Sequence, residues 1–177
     1  MRALTLVAFA SALALVACGK AQEKILEKSI ESAASKDGTQ AKVNLSEGSM
    51  KVTTTDAAGK TTQMEIGKAQ VTEADLGVPF YPGSKPAEGA STRVATGDSV
   101  TVQTSLHSDD APDKVAAFYR DKLKAMAEGK QMMDMSTGDG AMLSLVDDKT
   151  KGAIQVHIGK ADKGSDIMIS STRSGAK

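Results

Sequence analysis

The chain has 177 residues, the size of one domain with short appendages, and this length excludes a large multidomain enzyme. Lys plus Arg and Asp plus Glu both number 22, so the chain lacks the basic excess that nucleic-acid binding requires. After position 17, Val, Ile, Leu and Phe number only 26 in 160 residues. Because the net charge is zero, this composition predicts a folded domain with a small apolar core rather than disorder.

The N-terminus has the composition of an export signal. Met1-Arg2 carries a positive charge, and a run of fourteen apolar and small residues follows from Leu4 to Ala17. As a helix this run would span about 21 Å, whereas the hydrocarbon core of a bilayer is about 30 Å thick. We therefore expect a cleaved signal peptide over residues 1–17 and not a permanent membrane-spanning helix.

The run ends in Leu15-Val16-Ala17-Cys18-Gly19, which resembles the lipobox of bacterial lipoproteins. The resemblance implies that the signal is cut before Cys18, which receives a diacylglyceryl thioether and usually an acylated amine. Two or three acyl chains anchor a protein stably without spanning the membrane. The alternative is an ordinary secretory signal with a chance cysteine, but Cys18 is the only cysteine in the chain.

Lipidation would also fix the location of the protein. Gly19, and not Asp, follows the cysteine, and by analogy with lipoprotein sorting this favours the periplasmic face of the outer membrane if the host has two membranes. The expected partners are the membrane, through the lipid on Cys18, and an envelope protein of unknown identity. With Cys18 acylated, no thiol would remain for a disulfide, a zinc site or a nucleophile.

The segment after the anchor predicts a helix and then a three-stranded meander. Apolar residues recur at spacings of three and four in Lys20–Lys36, which is typical of an amphipathic helix. This tether helix, within residues 18–37, either spaces the domain from the membrane or docks on a sheet. Strands with a period of two are predicted at Ala41–Leu45, Met50–Thr55 and Lys60–Ile66.

The meander, placed in residues 38–75, has too few large apolar residues for a core of its own, so we expect it to lean on the C-terminal part of the chain. Residues 76–177 are expected to form an α+β domain whose strands alternate apolar and polar residues between turn sequences. The predicted strands are Thr92–Ala95, Ser99–Leu106, Met132–Met135, Ala141–Val146, Ala153–Ile158 and Asp166–Ser171.

A helix is predicted over Ala111–Met126, with Pro112 in its first turn and Ser108-Asp109-Asp110 as its cap. Its apolar face should lie across the sheet with Phe118 at the heart of the core. The predicted fold is therefore α+β: an antiparallel sheet crossed by one amphipathic helix, preceded by a short N-terminal helix and a three-stranded meander.

Two stretches, Val78–Lys85 and Asp109–Leu123, are similar to segments of uncharacterised bacterial exported proteins and lipoproteins. Those proteins carry a "YPG" turn and a "P-x-x-V-x-x-F-Y" helix, both present here. The resemblance implies no activity.

Catalytic and metal-binding motifs are missing from the sequence. His107 and His157 have no second ligand at helical spacing, and no nucleophile elbow, HExxH motif, Walker A loop or dinucleotide fingerprint occurs. Asp109, Asp110 and Asp113 do not match a calcium loop. We expect a non-enzymatic binding or structural module without cofactor, catalytic residues or metal ligands. A lipid carrier would need a wide apolar cavity that so few large apolar residues hardly line.

A cluster of methionines indicates an alternative function, the binding of Cu(I). Thioethers select Cu(I), and Met133 and Met135 would share one strand face with His157 or His107 nearby. Methionine also fills gaps in cores that are poor in aromatic residues, and we interpret the cluster chiefly in that way. The alternative is a periplasmic Cu(I)-binding protein that uses the Met126–Met142 cluster. The cluster consists of Met126, Met132, Met133, Met135 and Met142.

Overall fold

The structure of the chain is a computed structural model that describes residues 19–35, 40–46, 49–67, 71–87 and 91–175. The predicted signal peptide and the lipobox residues Leu15, Val16, Ala17 and Cys18 lie outside the described residues. The described part contains three helices and ten strands. Their bounds are α1 Gly19–Ala34, β1 Gln40–Ser46, β2 Ser49–Thr55, β3 Thr61–Gly67, α2 Glu73–Leu76, β4 Lys85–Pro86, β5 Ser91–Thr96, β6 Ser99–Ser108, α3 Pro112–Ala125, β7 Gln131–Thr137, β8 Gly140–Asp147, β9 Gly152–Lys160 and β10 Ser165–Ser174.

The strands form one antiparallel sheet in the order β1-β2-β3-β5-β6-β10-β9-β8-β7, with the two-residue β4 paired to β6. The predicted α+β class is confirmed, although the sheet dominates. The meander β1–β3 joins the C-terminal part of the chain directly, because β3 pairs with β5 and continues the same sheet. Of the described helices, none is long and apolar enough to cross a membrane.

Helix α3 crosses the C-terminal half of the sheet and covers one of its two faces. Its buried side chains are Val115, Ala116, Tyr119 and Leu123. They pack against apolar residues of β8 and β9 and share one core with residues that alternate along β10 and β6. We call this side the helix-covered face and the other side the open face. The strand residues in this core include Val102, Leu106, Leu143, Leu145, Val156, Ile158, Ile167 and Ile169.

Two details of the helix prediction are wrong. Tyr119, and not Phe118, lies at the centre of the core: Tyr119 is 0 % exposed, whereas Phe118 packs at the margin of the core. The ring of Phe118 makes edge contacts with Tyr81 and Tyr119 at centroid distances of 5.2 and 5.1 Å. The predicted cap also fails, because the N-cap residue is Ala111, without a side-chain cap bond.

Asp110, which was predicted to cap α3, instead binds the side chains of Tyr81 and Lys114. The Tyr81 hydroxyl donates to Asp110 Oδ2 at 2.7 Å, and Lys114 Nζ donates to Asp110 Oδ1 at 2.9 Å. These two bonds lower the pKa of the Asp110 carboxyl. Residues 76–84, which we call the linker, lead from the end of α2 to β4. Tyr81 and the buried Leu76 and Val78 hold this linker against the core beside α3.

Helix α2, which the sequence pattern did not predict, fixes the start of this linker. Thr72 and Asp75 form a capping box, and Arg93 Nη1 lies 3.1 Å from Asp75 Oδ1. The hydrogen bonds from Thr72, with a further contribution from Arg93, lower the pKa of Asp75 to about 2. Arg173 donates to the backbone carbonyl oxygens of Ala74 and Asp75. Two sheet arginines therefore hold α2.

Helix α1 docks on the edge strand β1 through polar side chains, while Ile25 and Leu26 of its apolar stripe stay exposed. Two outward-facing N–H groups of β1 donate to glutamates of α1. The Leu45 N–H donates to Glu27 Oε1 at 2.6 Å, and the Val43 N–H donates to Glu31 Oε1 at 2.8 Å. A helix rises about 6 Å over four residues and a strand rises about 6.6 Å over two residues. The spacing of the two glutamate acceptors along α1 therefore matches the spacing of the two N–H donors along β1. These bonds cover an edge that would otherwise be free to pair with another chain.

The two halves of the sheet carry their apolar residues on opposite faces. In the meander, the helix-covered face carries Glu65 opposite Arg93, while the open face carries Val52, Met64 and Val94 in one cross-strand row. The alternation predicted for the meander is confirmed, but its apolar side is the side that α3 does not cover. The open face is consequently apolar in part across both halves of the sheet.

Replacing Tyr119 should destabilise the fold more than replacing Phe118. Tyr119→Ala removes a fully buried ring and should cost about 3–5 kcal/mol, whereas Phe118→Ala removes a partly buried ring and should cost less. Tyr119→Phe should be near neutral, because within the described residues the buried Tyr119 hydroxyl makes no hydrogen bond of ordinary geometry. Chemical denaturation of the three variants measures these differences. A larger loss for Phe118→Ala than for Tyr119→Ala would contradict the packing described.

Candidate functional site

The open face carries a row of soft and polar side chains that belong to five adjacent strands. The register aligns Met135 of β7, Met142 of β8, His157 of β9, Met168 of β10 and Ser105 of β6. In β8, β9 and β10 the chain neighbours of these residues are buried on the helix-covered face, so the row points away from α3. We call these five residues the methionine row.

A groove of about 550 Å³ runs beside the methionine row on the open face. Its walls are mostly apolar, with Asp139 and Asp166 among the polar groups that line it. Pockets of about 300–1,000 Å³ with a few polar groups are typical sites for small molecules. The groove is shallow and open to solvent, and its volume falls within this range.

Two glycines opposite one another in β8 and β9 form the floor of the groove. A Cβ atom on Gly140 would lie 2.2 Å from the carbonyl oxygen of Ile158, so close backbone contact requires glycine there. A Cβ atom on Gly159 would meet no atom within 4 Å. Since nothing packs on Gly159, its missing side chain leaves the groove open.

Polar contacts fix two side chains at the groove. Gln103 Nε2 donates to the sulfur of Met168 at 3.2 Å, and the Nδ1 of His107 lies 2.9 Å from Asp166 Oδ1. His107 also borders an adjoining polar depression with Lys160 and other residues of the β9–β10 turn. His107 therefore pairs with Asp166 next to the groove, whereas His157 lies between two thioethers of the methionine row.

The structure separates the methionines that proximity in the sequence groups together. Met126 and Met132 pack against the core on the helix-covered face, as expected for gap-filling residues. Met133 and Met135 are 52 % and 54 % exposed, so core packing does not account for them. Met142 joins the open face as well.

Sequence reasoning missed Met168, which lies far from the cluster along the chain and next to His157 across the sheet. Only the antiparallel pairing of β9 with β10 brings the two together. The other histidine, His107, lies in a different cross-strand row from His157 and pairs with Asp166. No group of three or more His, Cys, Asp or Glu residues that could hold a metal is found within the described part of the chain.

The helix-covered side offers much less space. A pocket of about 180 Å³ lies near the end of the sheet, bordered by residues that include Leu76, Leu145 and Ile154. Elsewhere, the core residues of α3 fill the interface with the sheet. The open-face groove is accordingly the larger of these two spaces.

The comparisons with known proteins give one match. A family model described as START domain-like matches residues 89–170, slightly less than half of the chain. The matched range includes the whole methionine row and every residue that lines the groove. No curated protein and no solved structure matches the chain.

Proposed function

We propose that this chain is a lipid-anchored envelope lipoprotein whose folded part is a non-enzymatic binding module. The open-face groove takes a small, largely apolar molecule. The observation that carries this proposal is the unfilled space above Gly159, bounded by thioethers and aligned with the methionine row. A START domain-like match that contains the whole groove supports a ligand-binding module.

The lining of the groove favours binding over catalysis. Thioethers are soft, adaptable and apolar, so they accommodate ligands of irregular shape without acting as acids, bases or strong nucleophiles. The few polar groups, His157, Asp139 and Asp166, lie where they would orient a polar end of the ligand. Composition led us to expect no cavity suited to an apolar ligand, but a groove on the open face needs no hollow core.

Lipid anchoring rests on the resemblance to a lipobox and is supported by the position of α1. The described part of the helix, Gly19–Ala34, is tied to the edge of β1. Ile25 and Leu26 are 66 % and 53 % exposed within about two turns of Cys18. Exposed apolar side chains so close to an acylated cysteine would contact the membrane interface.

Filling the groove should abolish apolar binding. Gly159→Phe places a ring in open space without a clash, and it should weaken binding of the neutral fluorescent probe N-phenyl-1-naphthylamine by about tenfold or more. The matched control is Gly138→Phe, because a Cβ atom at Gly138 also meets nothing within 4 Å, and Gly138 does not line the groove. Fluorescence titration of both variants and the parent measures the effect.

Unchanged probe affinity in Gly159→Phe, with a thermal midpoint equal to that of the parent, would remove the groove as the binding site. An equal loss in Gly138→Phe would show that the added ring, and not the filled groove, causes the effect.

Substitution of the proposed anchor should abolish acylation. Cys18→Ser removes the sulfur that the diacylglyceryl group would join, so cells expressing the variant should incorporate no labelled palmitate into this protein. The parent chain serves as the positive control in the same labelling experiment. Palmitate incorporation into Cys18→Ser would refute the lipoprotein assignment and would leave the groove proposal untouched.

A further inference from the structure

We infer that the methionine row is a Cu(I) site whose ligands are the sulfurs of Met142 and Met168 and the imidazole of His157. The juxtaposition that carries this inference is a histidine flanked on both sides by methionines from the adjacent strands of the open face. The site does not depend on the apolar ligand proposed above. It also differs from a site built on the Met126–Met142 cluster, since two members of that cluster lie in the core.

The register brings the three ligands within reach of one ion. Met142 pairs with His157, and His157 pairs with Met168, so the two methionines are two strand spacings apart. At about 4.8 Å per spacing, their Cα atoms are roughly 10 Å apart, a distance that two methionine side chains can span around one metal ion. Met135 continues the row beyond Met142, which places a further thioether beside the site.

The donor set selects the metal. Thioethers bind soft, monovalent copper, imidazole binds copper readily, and hard cations such as Mg²⁺ and Ca²⁺ require oxygen ligands. The three ligands carry no negative charge, which suits a monovalent ion better than a divalent one. A neutral site with two sulfurs and one nitrogen is therefore matched to Cu(I) in preference to Zn²⁺, which favours thiolate, imidazole and carboxylate donors.

Packing does not explain why these methionines lie on the open face. Met142, His157 and Met168 are all partly exposed, and they line the groove instead of the core. Gln103 of β6 donates a hydrogen bond to the sulfur of Met168, so this sulfur faces β6 and must turn toward His157 of β9 when it binds the metal. A thioether sulfur has two lone pairs, so this bond leaves one lone pair for a metal.

Competition with the Cu(I) chelator bicinchoninate under anaerobic conditions tests the site. All proteins are the full chain with Cys18→Ser, so that no thiolate contributes. The parent should bind one Cu(I) ion, and Met142→Leu/Met168→Leu should bind it about 100-fold more weakly or worse, because leucine has the shape but no donor atom. The matched control is Met64→Leu/Met133→Leu, which removes two exposed thioethers outside the row.

The control double variant should retain the parent affinity within about twofold, since its ligands are intact. Equal affinity in the parent and in Met142→Leu/Met168→Leu, or an equal loss in the control, would overturn the site. Titration with Ag(I), a redox-inert ion of the same charge, provides a readout that is independent of affinity. The methyl NMR signals of Met142 and Met168 should shift, whereas a shift confined to Met64 and Met133 would contradict the assignment.

Gly159→Phe separates this site from the proposed apolar groove. The substitution adds no donor and removes none, so it should lower probe affinity without altering the Met142–His157–Met168 ligand set. Loss of probe binding with Cu(I) binding retained supports two separable properties. Loss of Cu(I) binding in Met142→Leu/Met168→Leu with probe binding retained would uphold the metal site even if the ligand proposal failed.

Discussion

The fold depends on the packing of helix α3 against one face of the antiparallel sheet. Helix α3 buries Tyr119 and Leu123 completely in a core that it shares with the apolar residues of β8 and β9. The chain has few large apolar residues and completes a core on one face only, because its other long helix, α1, docks on the edge strand β1. The linker residues Leu76 and Val78 complete the core on the same side.

This asymmetry leaves the open face free for function. The meander contributes to it by turning its apolar side, with Val52 and Met64, away from α3, while charged residues such as Glu65 and Arg93 lie on the helix-covered face. Helix α1 leaves most of the open face uncovered, because its polar side chains dock on the edge of β1. The groove and the methionine row therefore lie on a surface that the fold does not use for its own stability.

Sequence periodicity predicted the nine longer strands and both long helices because side-chain alternation follows directly from backbone geometry. Periodicity does not specify which strands pair. The order of the sheet, the continuity of the meander with β5 and the position of Met168 beside His157 all depend on pairing between distant segments. Periodicity also could not choose between Phe118 and Tyr119, because both residues fall within the apolar arc of α3; in the fold Tyr119 is fully buried and Phe118 packs on Tyr81 at the margin of the core.

The most direct test of this account is an NMR measurement of which face of the sheet receives an apolar ligand. Methyl-labelled protein saturated with N-phenyl-1-naphthylamine should give intermolecular nuclear Overhauser effects to the methyl groups of Met142 and Met168 on the open face. Effects confined to Leu123 and Leu143, which lie beneath α3, would place the ligand on the helix-covered face and contradict the central claim that the open face is the binding surface.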